Sequence, residues 1–456
     1  MNCIHAENEF ALRWFRFGLA AALLATSGIS VAAQSQRKTP AKPPATSASK
    51  ESKEKEDSLA PLLQQANDAI DKMEFAAALD PLQKYIAQRS DDPFAHFQLG
   101  YAYAGLKRPE EAKTEFLRAI ALDPKMAPAH LNLGLVLMDA DPTTAAEAFG
   151  HAADLQPTES RPRFLAGFCL ERTGKLPEAI EQYRAALKIS PKDYETHFAL
   201  GRILARTRDA AGAEEQFREA VAARSDSAPA RLGLANTLLG EGKNEQAHAA
   251  LAEYLKLKPG DPSAHYDRAL AFFELNRPDD ALAELDLFEA SAPANIDSLK
   301  MRSDIYMQQK KWNDASLTLF RANQMSPQDP EVAEWMGHVQ VQLHHYPVAI
   351  RILGQVYTQN PQSVEGLRDL GDAYFLNENF AEALGAMDNL AKLETPKPGS
   401  WFVRAICYDK LSRKAEAIEA YQKFLDQDNA QHDTQDFQAR QRILVLQKEL
   451  GQSKKK

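Results

Sequence analysis

Cysteine is nearly missing from this 456-residue chain: Cys3, Cys169 and Cys407 are the whole supply. None sits in a CxxC or at zinc-ligand spacing from a histidine, so neither a disulfide framework nor a structural zinc site is expected. An excess of basic charge is lacking too. The 54 Lys and Arg are outnumbered by 63 Asp and Glu, for a net charge of −9, which argues against a nucleic-acid binder and its positive footprint. The imbalance is uneven, because residues 1–57 hold 8 basic and 6 acidic side chains and the rest of the chain therefore carries −11. HExxH, GxSxG, GxGxxG and the P-loop are all absent, and with them the signatures of several large enzyme classes. Gly240-Glu241-Gly242-Lys243 comes nearest to a phosphate loop but lacks its spacing. There is no long alternating strand pattern. The expectation is a chain without catalysis, cofactor or metal.

What is present begins with an export signal. Arg13 and Arg16 flank an apolar stretch from about Phe17 to Val31, and Val31-Ala32-Ala33 offers a cleavage site before Gln34. Thr26, Ser27, Gly28 and Ser30 interrupt the stretch, which makes it a poor membrane anchor. Residues 1–33 are therefore read as a signal peptide. Residues 34–58 follow as a Pro/Ala/Ser/Lys linker whose first 24 residues hold no Leu, Ile, Val, Met or aromatic side chain. Such a stretch cannot bury enough apolar surface to offset its ordering entropy, and the linker is expected to be disordered.

The rest of the chain repeats itself. In a 34-residue frame opening at Pro93, His96, Leu99, Gly100, Tyr103, Ala112, Phe116, Ala119 and Pro124 mark fixed positions. The frame reopens at residues 127, 160, 194, 228, 262, 296, 330, 364 and 398, with the unit at 127 one residue short. A weaker copy before Pro93 carries Ala66, Ala69, Ala78, Leu82 and Tyr85, making eleven units over 59–431. Each unit reads as two antiparallel helices. Asp92-Pro93, Asp261-Pro262 and Asp329-Pro330 supply a capping carboxylate and then proline at the first helical position. A stripe at Ala439, Ile443, Leu446 and Leu450 predicts a capping helix within 432–456, ahead of a basic tail at Lys454-Lys455-Lys456.

This pattern resembles the tetratricopeptide repeat (TPR) family. The resemblance implies an all-α, right-handed superhelical solenoid of about eleven helix pairs. It also implies a concave groove, lined by the first helices, that takes peptide or protein partners. Carried over by frame position, the early groove wall holds Phe94, Phe97, Tyr101, Leu131, Leu135, Phe164, Phe168 and Phe198, with Arg161, Arg172, Arg202 and Arg206 beside them. The same positions later hold Asp297, Lys300, Asp304, Glu331, Glu334, Glu365 and Asp372. The groove should be aromatic and basic early and acidic late. The family's clamp for a terminal carboxylate is not expected, since Asn67 is present but Leu63 stands where its lysine would be.

His96, His130, His197 and His265 share one frame position, which marks them as packing residues and not metal ligands. Cys169 and Cys407 share another, seven repeats apart, and are expected to be small core residues. The functional expectation is a periplasmic or cell-surface scaffold for proteins or peptides. Its partners would include no nucleic acid, and no membrane span would remain after signal cleavage. An accessory subunit of envelope polysaccharide export or outer-membrane assembly is the alternative.

Overall fold

The structure is a computed structural model that describes residues 47–428 and 432–453, with side chains from Leu59 to Gly451. The signal peptide and the first part of the linker lie outside the described residues, as does the basic tail. The described residues form 23 helices and no strand. The paired helices are α1 (Ser47–Asp71) with α2 (Phe75–Ile86), α3 (Pro93–Gly105) with α4 (Pro109–Leu122), α5 (Ala127–Leu137) with α6 (Pro142–Leu155), and α7 (Ser160–Arg172) with α8 (Leu176–Ile189). Next come α9 (Tyr194–Arg206) with α10 (Ala210–Ala223), then α11 (Ala228–Gly240) and α12 (Asn244–Leu255), and α13 (Pro262–Glu274) with α14 (Pro278–Ser291). The last pairs are α15 (Ile296–Gln308) with α16 (Trp312–Met325), α17 (Pro330–Gln342) with α18 (Tyr346–Gln359), α19 (Val364–Leu376) with α20 (Phe380–Leu390), and α21 (Pro398–Lys410) with α22 (Lys414–Asp428). The closing helix is α23 (Asp433–Ser453). The first helices from α3 to α21 begin at the residues where the repeat frame reopens. The array is all-α, as expected. It falls into two compact units divided between Thr237 and Leu238.

One boundary is corrected. Residues 47–58, assigned to a disordered linker, are helical and continuous with the first repeat. Once the apolar turn after Leu59 has nucleated a helix, each further residue adds one backbone hydrogen bond. The helix runs through Pro61, which has no N–H to give the carbonyl of Asp57, and the stretch 47–58 itself holds neither Gly nor Pro.

The helix starts use the expected chemistry. Asp92 Oδ1 accepts from Phe94 N at 2.9 Å and Ala95 N at 3.3 Å, and Asp329 Oδ1 accepts from Glu331 N at 3.0 Å and Val332 N at 3.2 Å. Each satisfies amides that the first helical turn leaves without partners.

Within each repeat the two helices are held by one large side chain on the second and one small residue on the first. Phe116, Phe149, Tyr183 and Phe217 are all but fully buried. A Cβ at Gly100, Gly134, Gly167 or Gly201 would lie 2.8, 2.6, 2.9 or 3.0 Å from a ring atom of that partner. Where the large residue is Leu285, alanine replaces glycine on the first helix, as Ala269 in the same core cluster. Ring volume on one helix thus dictates closeness on the other.

The turn between the two helices carries a second constant. Met73, Lys107, Gly174, Arg208, Gly242, Asn276, Lys310, His344, Glu378 and Ser412 all have φ between 55° and 77°. From Gly174 onward they recur every 34 residues. Only the unit at 127 lacks such a residue. Its first helix ends early, at Leu137, and its second begins at Pro142, one residue sooner after the start of the unit than in the other repeats. Gly242 is accordingly a turn residue and not part of a phosphate loop.

The shared histidines are structural, as the frame position implied. Nε2 of His96, His130, His197 and His265 lies 2.9–3.2 Å from the carbonyl oxygen six residues earlier. Nδ1 of His96, His197 and His265 meets Glu115, Gln216 and Glu284 on the second helix at 2.6–2.9 Å. The ring therefore ties the preceding inter-repeat loop to its own helix pair. Cys169 and Cys407 are free and buried, and loss of solvent pushes their thiols up to about 12 and about 11. At the C-terminus Ala439, Ile443 and Leu446 of α23 close a core with Phe402, Tyr421 and Phe424, the capping role expected of that stripe.

Candidate partner-binding faces

In the first unit α3 touches α5, and α7 touches α9, so first helices of successive repeats share a face. Its N-terminal part is a ladder of rings. Phe94 and Phe97 have centroids 6.3 Å apart, as do Phe97 and Tyr101, and Phe75 of α2 meets Tyr101 edge-on at 6.0 Å. Phe94 is 50% exposed, a large apolar surface left in water. Phe97 is half-buried because its inner side packs on Phe116 at 5.9 Å. Leu131 and Leu135 continue the face half-buried.

Further along, the expected wall residues divide. Phe164 is a correction: it is only 6% exposed and lies against Tyr183 at 5.8 Å, so it belongs to the repeat core. Frame position assigns a face but not depth, and Tyr183 draws this ring inward. Phe168 is half-buried. Phe198 rests on Phe217 at 6.0 Å and stacks almost parallel to Tyr194, 5.8 Å away at 8°. Arg161 reaches over the Phe164 ring, 5.3 Å from its centroid, and is exposed.

The arginines are organised by a residue that frame position did not single out. Glu171 has a side chain only 8% exposed. Its Oε1 accepts from Arg202 Nη2 at 2.9 Å and Arg206 Nη1 at 3.3 Å, while its Oε2 accepts from the Tyr183 hydroxyl at 3.1 Å. Arg172 turns the other way and donates to the Met138 carbonyl at 2.7 Å and Asp139 at 3.1 Å. The signal for Tyr194 was in the sequence: Tyr194, Phe198, Arg202 and Arg206 are four apart, one stripe of α9.

In the second unit the corresponding face is acidic, but much of that charge is already matched. Lys300 bridges Asp329 and Glu331, each at 2.7 Å, and Glu334 accepts from Ser363 at 2.7 Å. His338 pairs with Asp369 at 3.0 Å, a hydrogen bond that raises its pKa. Asp304 accepts from Gln308 at 3.2 Å, while Asp297, Glu365 and Asp372 are exposed. Asp267 is half-buried on α13. Burial, with Asp261 adding, pushes it from 3.8 up to about 6.

That shift has a thermodynamic sign. Between about pH 4 and 6 the native carboxyl keeps a proton that the unfolded chain has released, so stability from this group is lost as pH rises through 6. Asp267→Asn should therefore stabilise the second unit by about 1–2 kcal/mol at pH 7.5 and leave it unchanged at pH 4. Urea denaturation of both chains at the two pH values measures this, and a gain of equal size at pH 4 would contradict it.

Among the described residues no group of three His, Cys, Asp or Glu side chains is placed to hold a metal, and no helix is long and apolar enough to cross a membrane.

Comparison with known proteins agrees with this architecture. Tetratricopeptide-repeat models match residues 93–126, 131–194, 170–229, 232–296, 336–399 and 377–432, together more than half of the chain. The chain belongs to the tetratricopeptide-repeat family. Tetratricopeptide repeat protein 13 of Homo sapiens is 25% identical over 206 residues, which are 45% of this chain and 20% of that protein. The match thus spans about a fifth of that relative's length. Among solved structures, MamA from Desulfovibrio magneticus RS-1 is 22% identical over 37% of this chain and 96% of its own, with a TM-score of 0.35. Yeast Tom70 is 15% identical over 87% and 97%, at 0.31. Naa15/Naa10 bound to HypK-THB is 14% identical over 85% and 66%, at 0.45. Tetratricopeptide repeats of this kind support an interaction scaffold.

Proposed function

We propose that this protein is a non-catalytic scaffold, exported to the cell envelope, that holds segments of partner proteins on the first-helix face of its first unit. The ring ladder of Phe94, Phe97, Tyr101 and Phe75 carries this reading. Large rings left in water at a scaffold's face are suited to act as anchors, because covering them removes apolar area at low entropic cost. Export is supported by the charged flank, apolar stretch and small-residue site of residues 1–33.

The first test is co-purification from envelope extract with the full chain and with Phe94→Ser, a change at an exposed position that leaves Phe97 on Phe116. A partner bound through the ladder should be retained about tenfold less by the variant, while the helical circular-dichroism signal stays the same. Equal retention would remove the ladder from the binding surface. Export is tested separately by fractionation and N-terminal sequencing, with a mature start at Gln34 expected and a full-length cytosolic chain counting against it.

A further inference from the structure

We propose that the α7–α9 part of the same face is a receptor for an acidic protein segment, with Arg202 and Arg206 binding its carboxylate and the Tyr194–Phe198 stack covering an apolar side chain next to it. This rests on the reading of the first unit as a partner-binding face, and it adds what kind of segment is taken.

The argument starts from the charge around Glu171. One nearly buried carboxylate meets two guanidiniums. It cancels one positive charge and leaves the other. The Oε2 of Glu171 already accepts from Tyr183, so the carboxylate can take at most one of the remaining guanidinium N–H groups. Arg202 uses only Nη2 and Arg206 only Nη1 in these bonds, and their other guanidinium nitrogens have no acceptor among the described residues. The two side chains are 40% and 54% exposed. Ala205, lying between them in the sequence, is small and exposed. Guanidinium groups held at one end and open at the other present a fixed fork, the geometry that suits a carboxylate. Holding them on Glu171 lowers the side-chain entropy lost on binding.

Nearby acids do not fill this demand. Glu195 is taken by Arg224 at 2.8 Å, Asp139 by Arg172 at 3.1 Å, and Asp193 caps α9 through Thr196 N at 2.9 Å. Arg224 itself sits 3.8 Å from the Tyr194 ring centroid and helps to hold that ring in place. The stack and the fork then follow one another along a single stripe of α9. A segment that crosses it meets apolar surface at the start of the helix and positive charge at its end. The chemistry selects an acidic residue beside an aromatic or aliphatic one.

The test is a selection of phage-displayed random 12-residue peptides on the full chain and on Arg202→Gln/Arg206→Gln. Arg202→Lys/Arg206→Lys serves as a second variant that keeps the charge and loses the fork. Wild-type protein should enrich Asp and Glu about twofold over the starting library along with aromatic residues. A selected peptide should bind about tenfold more weakly, by fluorescence anisotropy, when its Asp and Glu are changed to Asn and Gln. The Gln variant should lose the acidic enrichment and keep the aromatic one, and the Lys variant should fall between. Selected peptides without an acidic preference would overturn the receptor while leaving partner binding intact. An acidic preference undiminished in the Gln variant would place the charge recognition elsewhere and also overturn it. If no peptide is enriched on any of the three chains, the binding face itself fails.

Discussion

Phe149→Ala should destabilise the first unit by about 3–5 kcal/mol, the range for emptying a buried phenylalanine site. The ring has no exposed surface and fills the space between α5 and α6. It does so against a residue without a side chain, since a Cβ at Gly134 would stand 2.6 Å from its Cε1 and 2.7 Å from its Cδ1. Neighbouring helices cannot collapse onto the void easily, because each is also packed on the next repeat. In a one-dimensional array the weakened repeat interrupts nearest-neighbour coupling. Urea denaturation followed by circular dichroism should show a lower midpoint with a broadened or split transition. The companion variant gives the claim its sharper edge. Gly134→Ala alone should destabilise, because the methyl group meets the ring and overpacking outweighs the gain of about 1 kcal/mol in helix propensity. In a Phe149→Leu background the same change should become neutral or stabilising. A Gly134→Ala effect of the same sign and size in both backgrounds would mean that ring and glycine are not coupled.

Glycine at the strained turns should do the reverse. Lys107, Arg208, Lys310 and Glu378 hold φ of 59°, 64°, 56° and 62°, where a side chain costs about 1 kcal/mol that glycine does not incur. No hydrogen bond or ion pair from these four side chains compensates among the described residues. The positions lie in different repeats, so their effects should add. The fourfold glycine variant is expected to gain about 2–4 kcal/mol in total, divided between the two units, and to melt several degrees higher by calorimetry. The natural Gly174 and Gly242 supply the control: Gly174→Lys, with nothing near its Cβ, should cost about as much as one such change gains. An unaltered melting temperature in the fourfold variant would show that the turns are not strained.

The periodic parts of the molecule were legible in advance because they are local or repeated. Ten first helices begin where the frame reopens, since Asp-Pro caps, small residues and helically spaced apolar residues act within one repeat. The histidines at the shared position could be called structural for the same reason. The eight non-glycine residues at positive φ were hidden, because Met, Lys, Arg, Asn, His, Glu and Ser at a polar turn look like ordinary surface residues. Residues 47–58 were misjudged because composition measures whether a segment can fold alone, and this one extends a helix already nucleated at Leu59.

The candidate faces show where local reasoning stops. Frame position placed Phe94, Phe97, Tyr101, Phe198, Arg202 and Arg206 on one side of the first helices. It could not say that Phe164 would be drawn under Tyr183, or that Glu171 would gather two arginines 31 and 35 residues further along. By itself the sequence determined the repeat, the helix pairs and their caps, because spacing and backbone chemistry repeat every 34 residues. Only the tertiary structure decided how deep each ring lies and which charges are already paired, because those depend on side chains from neighbouring repeats meeting at distances that no single repeat contains.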